Sequence, residues 1–108
     1  MSRPLVIADR DIPFLKGVLE PWFAVRYLPG RTIGPDDVRD AAALLIRTRT
    51  RCDATLLEGS SVRLIATATI GTDHIDTAYC AAQGITVASA PGCNAAAVAQ
   101  YVRAALRV

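Results

Sequence analysis

Short apolar runs alternate with helix-like segments along the whole chain, and this alternation constrains the fold more than any other feature. The first run, Leu5–Ala8, is of the type found in buried strands. We predict five strands, at Leu5–Ala8, Phe23–Leu28, Ala43–Arg47, Val62–Thr67 and Ile85–Ala88. Strands separated by helices imply a parallel sheet with right-handed crossovers. The predicted fold class is α/β: a flavodoxin-like open parallel sheet of about five strands with helices on both faces.

Helix signals fill the segments between the strands. We predict helices at Ile12–Leu19, Pro35–Ala41, Asp53–Leu57 and Ile75–Gln83, and a last helix that follows Asn94. Asp53 is expected to cap the third helix, and Thr72 or Asp73 the fourth, because their side-chain oxygens accept the free N–H groups of a first turn. Gly84 is the expected left-handed residue that ends the fourth helix.

Composition and charge exclude several classes of protein. Hydrophobic residues make up 52% of the 108 residues, which supports a packed core and argues against disorder. The formal net charge of +2 is too small to indicate binding to nucleic acid or a membrane surface. Three widely spaced cysteines and one histidine do not suit a zinc site or a disulfide scaffold. We find no signal peptide and no apolar run of membrane-spanning length, so we expect a cytoplasmic location.

Two predicted strand ends are unusually polar. Arg47-Thr48-Arg49-Thr50-Arg51 follows the third strand, and Thr67-Ala68-Thr69-Ile70-Gly71-Thr72 follows the fourth. Ligands bind at the carboxyl ends of open parallel sheets, and arginine forks with threonine hydroxyls suit phosphate or carboxylate oxygens. An anionic small substrate fits this pattern. Taken alone, the arginines are somewhat better explained as solvated charges and the threonines as strand formers.

The segment Thr67–Val102, TATIGTDHIDTAYCAAQGITVASAPGCNAAAVAQYV, closely resembles the N-terminal part of the D-isomer-specific 2-hydroxyacid dehydrogenases. The resemblance is strongest to members that oxidise 4-phospho-D-erythronate to 2-oxo-3-hydroxy-4-phosphobutanoate during pyridoxal phosphate synthesis. It implies an NAD-dependent oxidoreductase of the cytoplasm, whose full-length relatives are expected to be homodimers. The resemblance covers nearly all of this chain but only about the first third of a typical relative.

The resemblance also implies which residues contact the substrate. Relatives carry an Arg-Ser or Arg-Thr pair after the third strand and a Thr-Ala-Thr-x-Gly-Thr-Asp segment after the fourth. By match to these motifs, Thr48 and Thr69 are the predicted substrate-binding residues, and Arg47 is a weaker candidate. Arg49 and Arg51 are candidates for substrate contact on local chemistry alone. The family's catalytic Arg, Glu and His lie beyond Val108, so no catalytic residue is predicted in this chain.

A domain boundary is predicted near Asn94. The segment Pro91–Tyr101 resembles the family's Pro-Gly-x-Asn-x-x-x-Val-Ala-Glu, although Gln100 replaces the acidic residue. We expect residues 1–93 to belong to the substrate domain and residues 94–108 to begin a truncated interdomain helix, since no Gly or Pro ends it. Asn94 is explained about equally well by helix capping and by a position facing the cleft.

Several functions are not predicted for this chain. It contains no G-x-G-x-x-G motif, and the catalytic Arg, Glu and His implied by the resemblance lie beyond Val108, so we expect the 108 residues alone to be inactive and not to bind NAD. No metal ligands are predicted. His74 is placed in a first helical turn, and an acid–base role is rejected. Cys93 has no basic partner that would make it a nucleophile. Two alternatives remain: a dehydrogenase for another 2-hydroxy acid, such as phosphoglycerate, and a non-catalytic flavodoxin-like binding or dimerisation module. The unfinished last helix argues against the second.

Overall fold

The computed structural model describes residues 3–12, 17–89 and 95–106, the side chains of 95–98 excepted. Within these residues, five parallel strands form one sheet. They are β1 (Leu5–Asp9), β2 (Ala24–Leu28), β3 (Ala41–Ile46), β4 (Leu64–Thr67) and β5 (Thr86–Ser89). The spatial order β2-β1-β3-β4-β5 is that of flavodoxin-like doubly wound sheets. The predicted fold class is therefore confirmed, and each strand lies close to its predicted position.

The central strands are apolar because both of their faces are covered. All six residues of β3 and all four residues of β4 are buried. Near-continuous apolar runs of this kind are typical of parallel strands packed between two layers. The edge strands β2 and β5 are only partly buried.

Two hydrophobic cores lie on opposite faces of the sheet. On one face, Ile7, Leu44 and Ile65 pack with residues of three short helices, α1 (Pro35–Val38), α2 (Ala54–Leu57) and α3 (Thr77–Ala82). On the other face, alternate strand residues pack against α4 (Ala95–Leu106) and against the turn-rich segment 17–23. The alternation follows from the two-residue period of a strand. Helices on both faces were predicted, and the packing of these two cores confirms them.

The caps of α2 and α3 show where local sequence decides a helix start. Asp53 caps α2 as predicted, since its Oδ1 accepts from the Leu56 N–H at 3.1 Å. Helix α3 begins later than predicted and is capped by Asp76, not by Thr72 or Asp73. The reason is that Ile75 instead forms an isolated parallel bridge with Cys52. Gly84, with φ +74°, ends α3 as predicted.

Two other predicted helices differ from the structure. Helix α1 ends at Val38 and does not reach Ala41, which instead begins β3. The predicted helix Ile12–Leu19 lies partly outside the described residues, but residue 12 and residues 17–19 form bends and turns. The chain turns back just after this segment, where the N–H groups of Trp22 and Phe23 both donate to the Leu19 carbonyl. The predicted cap Asn94 lies outside the described residues.

Candidate functional site at the carboxyl edge of the sheet

The register of β3 and β4 brings the two polar strand ends together. Ile46 is paired with Thr67 as the last residue of each strand, and the Ala68 N–H donates to the Ile46 carbonyl at 2.9 Å. Thr48 and Thr69 therefore lie two residues beyond a matched pair, at the same edge of the sheet. This shared position agrees with the sequence prediction. The assignment of both residues to a substrate stays a prediction.

Thr69 is held by a hydroxyl network at the end of β4. Its Oγ1 donates to the Gly71 carbonyl at 3.0 Å and lies 2.7 Å from the Oγ1 of Thr67. Thr67 is only 1% exposed, and its hydroxyl also lies 3.1 Å from His74 Nε2. Thr69 itself is partly buried. Its hydroxyl is therefore fixed from within the protein.

The loops after β3 and β4 are fastened to each other by main-chain hydrogen bonds. The Cys52 N–H donates to the His74 carbonyl at 2.8 Å, and the Asp76 N–H donates to the Cys52 carbonyl at 2.7 Å. These bonds extend the pairing of the two strands beyond the sheet. The two loops are therefore held against each other beyond the ends of β3 and β4.

Strand β5 supports the same loop from the other side. The Ser89 hydroxyl lies 2.5 Å from the Thr69 carbonyl and 3.2 Å from the Ile70 carbonyl. Ile70 is 83% exposed at the tip of the loop, an unusual position for a large apolar side chain. The main chain around Thr69 is thus held on both sides, while the Ile70 side chain faces solvent.

The arginine-rich segment divides into exposed and structural residues. Arg47, Thr48, Arg49 and Arg51 are exposed, but Thr50 is only 2% exposed and donates to the Gly30 carbonyl at 2.9 Å. Alternation of residue types in this segment did not reveal that the two threonines differ. Thr48 is exposed, whereas Thr50 fastens the loop to the segment that follows β2.

The arginines themselves are engaged to different degrees. One guanidinium nitrogen of Arg47 lies 3.4 Å from the Asp11 carbonyl, in the loop after β1. Arg51 forms an ion pair of 3.5 Å with Asp53, the cap of α2. Exposed pairs of this kind contribute little to stability. Both contacts leave the guanidinium groups at the surface, where charge-assisted bonds to an anion remain possible.

Asp9 is a residue of this edge that the sequence did not single out. It is the last residue of β1 and is 1% exposed. Its Oδ1 accepts from the Asp11 N–H at 2.9 Å, while Oδ2 is buried with no hydrogen-bond partner among the described residues. A Cβ atom placed on Gly30 would lie 2.5 Å from that oxygen. The end of β1 is therefore closely packed against Gly30.

His74 lies before α3 and not in its first turn, contrary to the sequence prediction. It lines a polar cleft of about 200 Å³ together with Arg51, Cys52, Asp53, Asp73, Ile75 and Asp76. Burial lowers the pKa of His74 below its usual 6.5, and the charge of Asp73 partly opposes this effect. The imidazole is therefore neutral at neutral pH, and one of its nitrogens donates while the other accepts.

The described cysteines are structural. Cys52 and Cys80 are fully buried in the same core. Burial, with Cys80 and Asp53 adding to it, raises the pKa of the Cys52 thiol to about 12. Burial, with the charge of Asp76 adding to it, also raises the pKa of Cys80. Thiols held in the neutral form are poor nucleophiles. Cys93 lies outside the described residues.

Neither a metal-ligand cluster nor a membrane-spanning helix is found in the described part of the chain. No group of three or more His, Cys, Asp or Glu side chains there is arranged to hold a metal ion. No helix found there is long and apolar enough to span a membrane.

The five-stranded parallel sheet with helices on both faces defines a domain of the open parallel α/β class. The chain belongs to the D-isomer specific 2-hydroxyacid dehydrogenase family, since the model of that family's catalytic domain matches residues 7–104.

Curated relatives indicate which members it resembles. The erythronate-4-phosphate dehydrogenases of Bacteroides fragilis and Marinobacter nauticus are 58% and 51% identical to it over 102 residues. Each alignment covers 94% of this chain, but only 29% and 27% of the respective relative. The chain therefore spans less than a third of the length of these relatives.

Solved structures give the same fold. The D-lactate dehydrogenase of Aquifex aeolicus, crystallised with NAD and lactic acid, aligns with a TM-score of 0.68 and 24% identity. That alignment covers 93% of this chain and 32% of the other. The pyruvate reductase of Chlamydomonas reinhardtii aligns with a TM-score of 0.67 and 23% identity, over 95% of this chain and 33% of that protein. At these identities the likeness establishes the fold alone.

Proposed function

We propose that this chain forms the N-terminal part of an NAD-dependent dehydrogenase that oxidises 4-phospho-D-erythronate to 2-oxo-3-hydroxy-4-phosphobutanoate. In this proposal the reaction serves pyridoxal phosphate synthesis. The observation that carries the proposal is the 46–58% identity, over almost all of the chain, to proteins named erythronate-4-phosphate dehydrogenase. Residues 1–93 then belong to the substrate domain, and α4 begins the connection to the rest of the enzyme.

The chain's own part in the reaction is to bind and orient the anionic substrate. Thr48 and Thr69 donate hydrogen bonds from their hydroxyl groups to substrate oxygens at the carboxyl edge of β3 and β4. Arg47 adds positive charge from the same edge, since its guanidinium is exposed. Support comes from the matched strand ends and from the hydroxyl network that fixes Thr69. Hydrogen bonds to charged groups contribute about 1.5–3 kcal/mol each, enough to determine substrate affinity.

The hydride acceptor belongs to another part of the enzyme. Bound NAD supplies a nicotinamide ring that accepts the hydride from the substrate alcohol. The residues present do not suit this cofactor, because they include no G-x-G-x-x-G loop between a strand and a helix. The 108 residues alone are therefore proposed to neither bind NAD nor turn over substrate. Calorimetric titration of the isolated chain with NAD tests this point, and saturable binding would contradict it.

The experiment that tests the proposed function is a kinetic comparison of substrates with the complete gene product. NADH formation is followed with 4-phospho-D-erythronate, unphosphorylated erythronate and 3-phosphoglycerate. We expect the highest kcat/KM for 4-phospho-D-erythronate and a large loss without the phosphate. Equal or better turnover of 3-phosphoglycerate would move the protein to another branch of the family. Absence of turnover with every 2-hydroxy acid would contradict the proposal as a whole.

A further inference from the structure

A continuous line of hydrogen bonds runs from His74 to the loop that carries Thr69. His74 Nε2 lies 3.1 Å from Thr67 Oγ1, which lies 2.7 Å from Thr69 Oγ1, which donates to the Gly71 carbonyl at 3.0 Å. The distances alone leave the direction of the first two bonds open. The number of protons available in the line determines it.

The direction follows from the last bond, because a carbonyl oxygen can only accept. Each threonine hydroxyl has one proton, and Thr69 uses its proton on Gly71. Thr67 must therefore donate to Thr69, which leaves Thr67 without a proton for His74. The remaining bond forms only if His74 carries a hydrogen on Nε2 and donates it to Thr67. All donors in the line then point from His74 toward Gly71.

We propose that His74 is a positioning residue for the anion site: its Nε2–H, acting through Thr67, directs the Thr69 hydroxyl proton away from the sheet and toward the substrate. This inference rests on the proposed function, since it assigns a cause to the orientation of a proposed substrate contact. An arriving anionic oxygen takes the Thr69 proton from Gly71, while Thr69 continues to accept from Thr67. Donors that are themselves accepting a hydrogen bond are strengthened by polarisation.

The opposite tautomer would reverse the line. With the hydrogen on Nδ1, the Nε2 lone pair would accept from Thr67, and Thr67 would then have to accept from Thr69. The Thr69 proton would point back toward the buried Thr67 and would not be available to a substrate. The state of the His74 ring therefore determines whether Thr69 can donate at the edge of the sheet.

The surroundings fix the two relay groups in place. Thr67 is the last residue of β4 and only 1% exposed, so solvent does not compete for its hydroxyl. The His74 main chain is held by the Cys52 N–H at 2.8 Å. Burial lowers the pKa of the His74 ring, with Asp73 opposing, which keeps it neutral near pH 7. A neutral ring has a single N–H, so its tautomer determines the direction of the hydrogen bonds from His74 to Thr69.

The test uses the complete gene product and variants that keep or remove each donor. His74→Gln retains an N–H donor near the Nε2 position, whereas His74→Leu removes it. Thr67→Ser retains the relay hydroxyl, whereas Thr67→Val removes it with little change in shape. Loss of one neutral hydrogen bond predicts that His74→Leu and Thr67→Val each raise KM for 4-phospho-D-erythronate roughly three- to tenfold, with kcat nearly unchanged. His74→Gln and Thr67→Ser should recover most of the affinity.

A double variant separates positioning from a merely structural role. If His74 acts through Thr67, His74→Leu adds almost nothing to KM once Thr67→Val is present. Multiplying effects, an unchanged KM in His74→Leu, or a fall in kcat alone would each overturn the inference. Absence of wild-type turnover would instead overturn the proposed function. Nitrogen NMR of the His74 ring, assigned by comparison with His74→Gln, measures the tautomer directly. A neutral ring with its hydrogen on Nε2 supports the inference. A neutral ring with its hydrogen on Nδ1 overturns it.

Discussion

Thr67 and Thr69 lie with their hydroxyl oxygens 2.7 Å apart, although Thr67 is buried at the end of β4 and Thr69 stands in the loop beyond it. A buried strand residue is thereby connected directly to a residue at the sheet edge. Since β4 is held on both sides by neighbouring strands, this contact transmits the rigidity of the sheet to the proposed substrate site. Rigid support of this kind lowers the entropy lost on binding.

The cap of α3 provides a first prediction. The Oδ1 of Asp76 accepts from the Tyr79 N–H at 3.0 Å, and α3 has only six residues. Asp76→Ala should lower the free energy of unfolding by about 1 kcal/mol, while Asp76→Asn should cost much less because it keeps the acceptor. Urea unfolding of the two variants checks this. Equal stability of Asp76→Ala and wild type would show that the cap contributes nothing.

The close contact between β1 and the segment after β2 gives a second prediction. A Cβ atom on Gly30 would lie 2.5 Å from Asp9 Oδ2 and 3.2 Å from Arg49 Cβ. Gly30→Ala should therefore destabilise the fold by roughly 1–3 kcal/mol, the range for overpacking at a tight site. Gly71→Ala is the matched control, since no heavy atom beyond Gly71 and its two chain neighbours lies within 4 Å of the Cβ position there. Similar urea midpoints for the two variants would contradict the packing described at Asp9.

A third prediction concerns pH. The pKa of His74 is lowered in the folded chain by burial, below the 6.5 usual for the unfolded chain. Its contribution to stability is therefore complete above 6.5 and is lost as pH falls through the folded pKa, because the unfolded chain binds the proton first. Between about pH 7.5 and 5.5, wild type should lose more stability than His74→Gln, which does not titrate there. An equal or smaller loss of stability in wild type would show that protonation of His74 does not destabilise the folded protein.

The sheet was predictable from sequence because its signal is local. Buried parallel strands are short apolar runs, and Gly84 and Asp53 act on helix ends within a few residues of their own positions. Ala41 was assigned to a helix because alanine suits that structure as well as a buried strand. The strand conformation of Ala41 was decided by its pairing with Leu5 of β1, which lies far away in sequence.

The candidate site was predictable only in part. The carboxyl ends of β3 and β4 were found because the residues after both are polar in sequence. The distinction between exposed Thr48 and buried Thr50 depends on the Gly30 carbonyl, twenty residues earlier, and has no local signal. The start of α3 was misplaced because Ile75 pairs with Cys52, a residue distant in sequence, in an isolated parallel bridge. Tertiary contacts determined each of these features.

The central claim is that the edge formed by Thr48 and Thr69 binds the substrate, and steady-state kinetics of the complete gene product tests it most directly. Thr48→Val and Thr69→Val remove one hydroxyl each, while Thr86→Val is the control, exposed at the first residue of β5. Each lost bond to a charged oxygen should lower kcat/KM for 4-phospho-D-erythronate roughly ten- to a hundredfold, with folding intact and Thr86→Val unaffected. Unchanged kcat/KM in both edge variants, with intact folding, would show that the substrate is held elsewhere.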